Sequence, residues 1–233
     1  MQNLLEFKNL NEGVSVVIVT LNGKERIKPT LEHLANQKNI DFPCEILLVD
    51  NNSKDDTIEI SKQIWTDLES PFTFRTCVET RPGTMFARKK GLKESYNKYV
   101  LFCDDDNWLC TNYLKVAYEY ISKTSKIAAV GGKGIIEYEK YFTPPEWIKR
   151  YEGNYATGAQ GREEEGDTTN HKGCVYSAGM IVDKKWLNKL YSKGFTSSLK
   201  GRDGKSLQTV EDTELTMELK LMGVNLNYSC LLY

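Results

Sequence analysis

The sequence predicts an α/β fold: a mainly parallel central sheet with helices on both faces. Three observations carry this. Strand and helix signals alternate with short connections through residues 14–132, the order that βαβ crossovers produce. The first strands, VSVVIVT and CEILLVD, are nearly continuous apolar runs, as strands buried on both faces should be. Polar clusters stand at the ends of three strands: Thr20 and Asn22, then Asp50-Asn51-Asn52, then Asp104-Asp105-Asp106. Ligands of such sheets sit beyond the C-terminal ends of the strands, so the clusters read as one site assembled from three loops.

The elements follow in order. Residues 14–20 are the first strand. A helix is expected over 25–37, with Ile27, Leu31, Leu34 and Ala35 apolar and Pro29 in the first turn, where its missing N–H is tolerated. The second strand is 44–50. The helix over 53–65 opens on capping residues and places Ile58, Ile60, Ile64 and Trp65 on its apolar face. A strand at 72–78, a helix at 84–96 and a strand at 99–104 come next. A helix over 112–124 takes Thr111 as its cap, and a fifth strand spans 127–132. Residues 133–172 are long, irregular and rich in aromatics, Pro, Gly and charge. Segments of that length are usually functional or mobile. Strand character returns over 174–183, followed by a helix at 184–193 capped by Asp183. After a turn-rich loop at 201–206, a helix over 210–223 ends with Gly223 at C′, and an apolar strand closes the chain. No repeat or low-complexity linker divides residues 1–233, which are read as a single domain.

Composition narrows the function classes. The chain has 233 residues, 40% hydrophobic and 27% charged, sufficient for one full core. A formal net charge of −1 supplies no positive field for nucleic acid. The six cysteines show no C-x-x-C spacing, which argues against zinc and for a reduced, cytoplasmic compartment. The opening MQNLLEFKNLNEG lacks the apolar stretch of a signal peptide, and no run is long enough to cross a membrane.

Four segments carry chemistry. In LFCDDDN (101–107) an apolar strand runs into three acids. In an extended chain Asp104 and Asp106 face one side, roughly 6–7 Å apart at Cα. Hard oxygens so placed suit Mg²⁺ or Mn²⁺, which bind phosphate in turn. The other reading of the triplet is a solvated acidic turn before the next helix. In EILLVDNNS (45–53), Asp50 ends the second strand, where an acid can meet a ribose or base; a helix cap at Asn52 or Ser53 is the alternative. In RPGTMFARKKG (81–91), Gly83 permits close approach to a helix N-terminus, which attracts phosphate. Arg88, one turn along, either pairs with phosphate or is a solvated helix arginine. In VEDTEL (210–215), Glu211 and Asp212 open a helix, which stabilises their ionised forms. Asp212 is then either a capping residue or a general base for a hydroxyl.

Together, VSVVIVTLNG, EILLVDNNSKDDT, RPGTMFARKKGL, LFCDDDN, SAGMIVDKK and VEDTELTMELKLMG, in this order, resemble the family 2 glycosyltransferases over about residues 14–228. The resemblance implies the GT-A fold and a bacterial, inverting enzyme. In it, residues 14–132 are the nucleotide-sugar-binding half and 133–233 the acceptor-side half, with a mobile loop at 133–172. With the strand-end clusters and Arg88, the expected donor site is Thr20, Asn22, Asp50, Asn52, Arg88, Asp104 and Asp105, and the resemblance implies that Asp50 meets the base. It makes Asp104 and Asp106 the D-x-D metal pair for Mg²⁺ or Mn²⁺, and Asp212 the catalytic base. In the 133–172 segment, Trp147 and Tyr151 are candidate sugar-stacking platforms on the acceptor side, with satellite core packing as the alternative; Glu211 is a further acceptor-side candidate. The expected reaction is sugar transfer from a nucleotide sugar, a UDP-sugar foremost, to a saccharide or lipid-linked acceptor in cell-surface polysaccharide synthesis. The expected location is the cytoplasm, at the inner face of the membrane. Two departures stand out. Asp50-Asn51-Asn52-Ser53 replaces the commoner D-D-G-S. The family's metal-touching histidine beyond the last strand has no counterpart, since His33 and His171 lie elsewhere, so a C-terminal truncation is expected. A nucleotidyltransferase or a silent nucleotide-sugar-binding domain are the alternatives. The former usually has a Gly-rich loop with Arg and Lys after the first strand, which LNGKERIKP matches poorly.

Overall fold

The computed structural model describes residues 10–123, 125–138, 140–205 and 209–232; the expectation drawn from residues 1–9 lies outside them. Among the described residues, eight strands form one sheet in the order β3-β2-β1-β4-β7-β5-β8-β6. The first half alternates as expected: β1 (Asn11–Thr20), α1 (Ile27–Ala35), β2 (Cys44–Asp50), α2 (Thr57–Asp67), β3 (Thr73–Val78), α3 (Thr84–Glu94), β4 (Asn97–Asp104), α4 (Tyr113–Ser122) and β5 (Ile127–Gly131). The second half holds α5 (Glu146–Tyr151), a 3-10 turn (Glu152–Tyr155), β6 (Glu165–Asp167), β7 (Ile181–Asp183), α6 (Lys184–Ser192), α7 (Glu211–Leu221) and β8 (Asn225–Ser229). β3–β2, β2–β1, β1–β4 and β5–β8 pair parallel; β7 runs antiparallel to β4 and β5, and β6 to β8. β1 to β5 and β8 therefore all end at one edge of the sheet. Among the described residues no helix is long and apolar enough to cross a membrane.

The two-residue period of β1 explains the layers. Val14, Val16 and Ile18 point to one face, where they pack with Ile27, Leu31 and Leu34 of α1, Trp65 of α2, and Leu114, Ala117 and Ile121 of α4. Val17 and Val19 point to the other, with Ala87 and Leu92 of α3, Leu187 and Leu190 of α6, and Leu215 and Leu219 of α7. Helices thus cover both faces, and β1 is buried on both. Gly91 lets α3 lie close on the sheet: a Cβ there would stand 2.3 Å from Val17 Cγ1.

Several boundaries differ from expectation. α2 starts at Thr57, not at 53, because Asn52 turns left-handed at φ 68° and the Asp55 side chain accepts from Thr57 N. Asn112, not Thr111, precedes α4, without a side-chain cap. Asp183 does cap α6, accepting from Lys185 N at 3.0 Å. The strand expected over 174–183 is extended only at Ile181–Asp183. Gly179 sits at φ 78°, and the N–H groups of Tyr176 and Ser177 go to the side chains of Gln160 and Asp212 instead of a ladder. Residues 133–172 are not structureless. They contain α5, the 3-10 turn, β6 and a bridge between Gly134 and Gly158.

Candidate active site

The register of the sheet assembles the site. Thr20 lies beside Asp50, and Val19 beside Asp104. The three polar clusters therefore meet at the C-terminal edge, as their positions after apolar runs imply.

Asp50 is buried at the end of β2. Its Oδ2 accepts from Ser53 N at 3.0 Å, while Oδ1 is buried without a partner. An orphaned buried acceptor is costly and is often tied to function. Next to it, Asn51 bonds the Glu79 and Arg81 carbonyls through Nδ2 and takes Gly83 N on Oδ1. A carboxylate in its place could accept but not donate, whereas the amide does both, so Asn51 pins the turn before α3. This gives a physical role to one departure from D-D-G-S. In the same turn Arg81 chelates Glu79 and holds its carboxyl well below the usual range, at about 2. Asn22 and Asn52 are exposed and left-handed, at φ 51° and 68°. Asn22 Oδ1 accepts from Lys54 N and its own N–H donates to Ser53 Oγ, tying the loop after β1 to the loop after β2.

β4 ends at Asp104, and the chain turns back through Asn107 N to Asp104 O at 3.1 Å. The extended geometry expected for Asp104 and Asp106 is therefore replaced by a turn. Asp105 points inward with both oxygens occupied: Oδ2 by Thr20 Oγ1 at 2.5 Å and Oδ1 by Arg26 Nε at 2.7 Å. Asp105 and Thr20, expected at the donor, thus brace the acidic turn against β1. Gly23 is needed beside them, because a Cβ would stand 2.2 Å from Thr20 Oγ1. Arg26, which sequence reading did not single out, also bonds the Leu21 and Asn22 carbonyls. Asp106 is exposed. Crowding by protein atoms, and then the charges of Asp104 and Asp105, raise its carboxyl above the usual range.

Arg88 is not a solvated helix arginine. Its guanidinium is buried and reaches Asp104 Oδ1 at 3.3 Å and Glu211 Oε1 at 2.9 Å. The same Glu211 oxygen accepts from Thr84 Oγ1 at 2.9 Å. The start of α3, expected to be open to phosphate, is covered: Thr84 N donates to Arg202 O and Met85 N to Lys200 O. Gly201, at φ 74°, allows that loop to close, since a Cβ would stand 1.9 Å from Thr84 Oγ1. Asp212 lies in the first turn of α7, and Val210 is the N-cap. Its Oδ1 accepts from Thr213 N at 2.7 Å, and Oδ2 from Ser177 N at 3.0 Å and Ser177 Oγ at 3.3 Å.

Residues 15–190 match the family model described as Glycosyl transferase family 2. The chain belongs to this family. Its similarity extends to poly(ribitol-phosphate) beta-N-acetylglucosaminyltransferase TarP of Staphylococcus aureus, 26% identical over 52% of this chain and 37% of TarP. TarS of the same species is 29% identical over 57% of this chain and 24% of TarS. The chain spans little more than a third, at most, of these curated relatives. The GT-A fold is shared with crystal structures of S. aureus TarS residues 1–349 (TM-score 0.65, 19% identity, 94% of this chain, 60% of that one). It is shared also with the mannosyltransferase PcManGT of Pyrobaculum calidifontis (TM-score 0.62, 18% identity, 94% and 55%). In this family 2 chain, Trp147 and Tyr151 are exposed and meet edge to face at 6.4 Å, outside both cores. Their helix leads into the turn whose Gly153 carbonyl accepts from Tyr176 Oη at 3.0 Å, one residue before Ser177. A cavity of about 430 Å³ lined by Arg162, Asp167, His171 and Tyr228 lies at the β6–β8 edge and shares no residue with the acidic cluster.

Proposed function

We propose that the chain is the catalytic domain of an inverting, metal-dependent glycosyltransferase that moves a sugar from a UDP-sugar to a saccharide or lipid-linked acceptor. The observation that carries this reading is the bridge from Asp104 through Arg88 to Glu211, adjacent to Asp212. It joins the acids suited to the donor to an acid suited to the acceptor. Asp50, with an unmatched oxygen at the same edge, would accept a hydrogen bond from the base.

Asp104 and Asp106 fit a divalent cation as a minimal pair. Their side chains are part-exposed and exposed, and their charges stand close without a full set of counter-charges. Among the described residues no group of three or more His, Cys, Asp or Glu side chains is arranged to hold a metal. Mg²⁺ needs none, since one or two carboxylates with phosphate and water complete its shell. Such a cation would supply charge neutralisation for the departing diphosphate. Asp212 would take the proton from the acceptor hydroxyl, its carboxylate oriented by Ser177 N–H. A single in-line displacement inverts the anomeric centre. The names of TarP and TarS, beta-N-acetylglucosaminyltransferases, support a β-linked product. Trp147 and Tyr151 offer flat apolar faces for sugar rings near the acceptor side. A cell-surface polymer assembled at the cytoplasmic face of the membrane is the acceptor class that this reading favours.

The test is transfer from UDP-N-acetylglucosamine, UDP-glucose and UDP-galactose with Mn²⁺, with NMR of the product's anomeric proton. A β-linked product supports the proposal. An α-linked product overturns inversion, and turnover with none of the donors overturns the UDP-sugar assignment.

A further inference from the structure

Arg88 and Glu211 form a buried ion pair, with side chains 6% and 10% exposed. They come from two helices 123 residues apart in the chain. Both Nη atoms of Arg88 end on carboxylates, and only Nε is left unmatched. Glu211 Oε1 takes Arg88 and Thr84 together. Above it lies Gly201, where even a Cβ would stand 2.9 Å from that oxygen. A phosphate or a sugar hydroxyl reaching either group would have to break the pair and lift the loop. What the pair does touch is the chemistry on either side. Arg88 holds Asp104, at the end of β4. Glu211 is the first residue of α7, and its neighbour Asp212 is fixed by Ser177.

We infer that Arg88 and Glu211 are positioning residues, a buried clamp that sets Asp104 and Asp212 relative to one another, and not ligands of donor phosphate or acceptor. This rests on the glycosyl-transfer reading above. The two ends of the clamp separate its effects. Arg88 governs both acids, whereas Glu211 governs the Asp212 side. Breaking one member of a buried pair leaves an uncompensated charge, while replacing both by apolar residues of similar volume is often tolerated.

The experiment compares Arg88→Lys and Glu211→Gln for UDP affinity with Mn²⁺, by calorimetry, and for turnover of UDP-N-acetylglucosamine. Glu211→Gln is expected to keep UDP affinity within about threefold and to lose at least about tenfold in turnover. Arg88→Lys is expected to lose in both. Beside these, the melting temperatures of Arg88→Met, Glu211→Met and the double variant form a cycle. The double variant should melt higher than the sum of the single losses allows, yet remain at least about tenfold slow. Additive melting losses would overturn the clamp, as would near-normal turnover by a folded double variant. Unchanged turnover in Glu211→Gln with a collapse of UDP affinity in Arg88→Lys would make Arg88 a donor ligand instead. If the wild type turns over no nucleotide sugar, the glycosyl-transfer reading fails. The clamp is then decided by the melting cycle alone: non-additive losses keep the buried pair, and additive losses overturn it.

Discussion

Asp212 accepts three hydrogen bonds, two of them from Ser177 on another segment, and Val210 holds the N-cap position in its place. A residue that merely caps would not need Ser177. Asp212→Asn should therefore keep UDP binding and lose at least the roughly 10²-fold in transfer that a positioned base contributes. Transfer kinetics beside UDP calorimetry check this, and near-normal transfer would return Asp212 to a structural role. Asp50 behaves differently. Its Oδ1 is an unmatched buried acceptor in the free protein, so Asp50→Ala should cost little in melting temperature but weaken UDP by about 1–3 kcal/mol. Unchanged UDP affinity in the folded variant would deny it a part in base recognition. The positions of Asp50 and Asp104 were legible because each ends an apolar strand run, and that of Asp212 because it opens a helix after a turn-rich loop. The braces were not. Thr20 meets Asp105 across 85 residues, and Arg26 meets Asp105 across 79. Such pairings depend on which strands lie side by side, and a run of three acids does not say which one turns inward.

β1, β2, β4 and the helices between them could be read from the sequence because burial on both faces demands unbroken apolar runs. The segment at 174–180 could not, since its apolar composition suits a strand while its N–H groups serve Gln160 and Asp212. α3 shows how an element can be constrained by one contact. Gly91 lies 2.3 Å, at an ideal Cβ, from Val17 Cγ1 and 3.2 Å from Val49 Cγ2. Alanine in a helix gains up to about 1 kcal/mol over glycine. Here overpacking against two valines on neighbouring strands, typically about 1–3 kcal/mol, should win. Gly91→Ala is expected to destabilise the fold by about 1 kcal/mol in urea denaturation and to disturb Arg88, one turn earlier on the same helix. A stabilised variant would show that α3 can lift from the sheet without penalty.

At the scale of the whole molecule, the order β3-β2-β1-β4-β7-β5-β8-β6 brings the acids of both halves to the same edge. The chain is nearly neutral, at −1, but the charge there is not. Asp50, Asp104, Asp105, Asp106, Glu211 and Asp212 gather around Arg26 and Arg88, and those two guanidiniums are already engaged by Asp104, Asp105 and Glu211. A nucleoside diphosphate brings further negative charge to this cluster. At about 4 Å, two unit charges interact by ~4 kcal/mol at an effective dielectric of 20, which is comparable to the whole binding energy of a millimolar ligand. The fixed cations do not offset this repulsion, so UDP should bind measurably only with Mg²⁺ or Mn²⁺ present. Asp106→Asn should reduce that metal-dependent part while leaving the fold intact, because Asp106 is exposed and the side chain that donates to its carboxylate, Asn107 Nδ2 at 3.4 Å, is its chain neighbour. Calorimetry of UDP in Mn²⁺ and in EDTA measures the difference. Equal affinity in the two buffers would mean that protein groups alone neutralise the diphosphate, and would remove Asp104 and Asp106 as a metal pair.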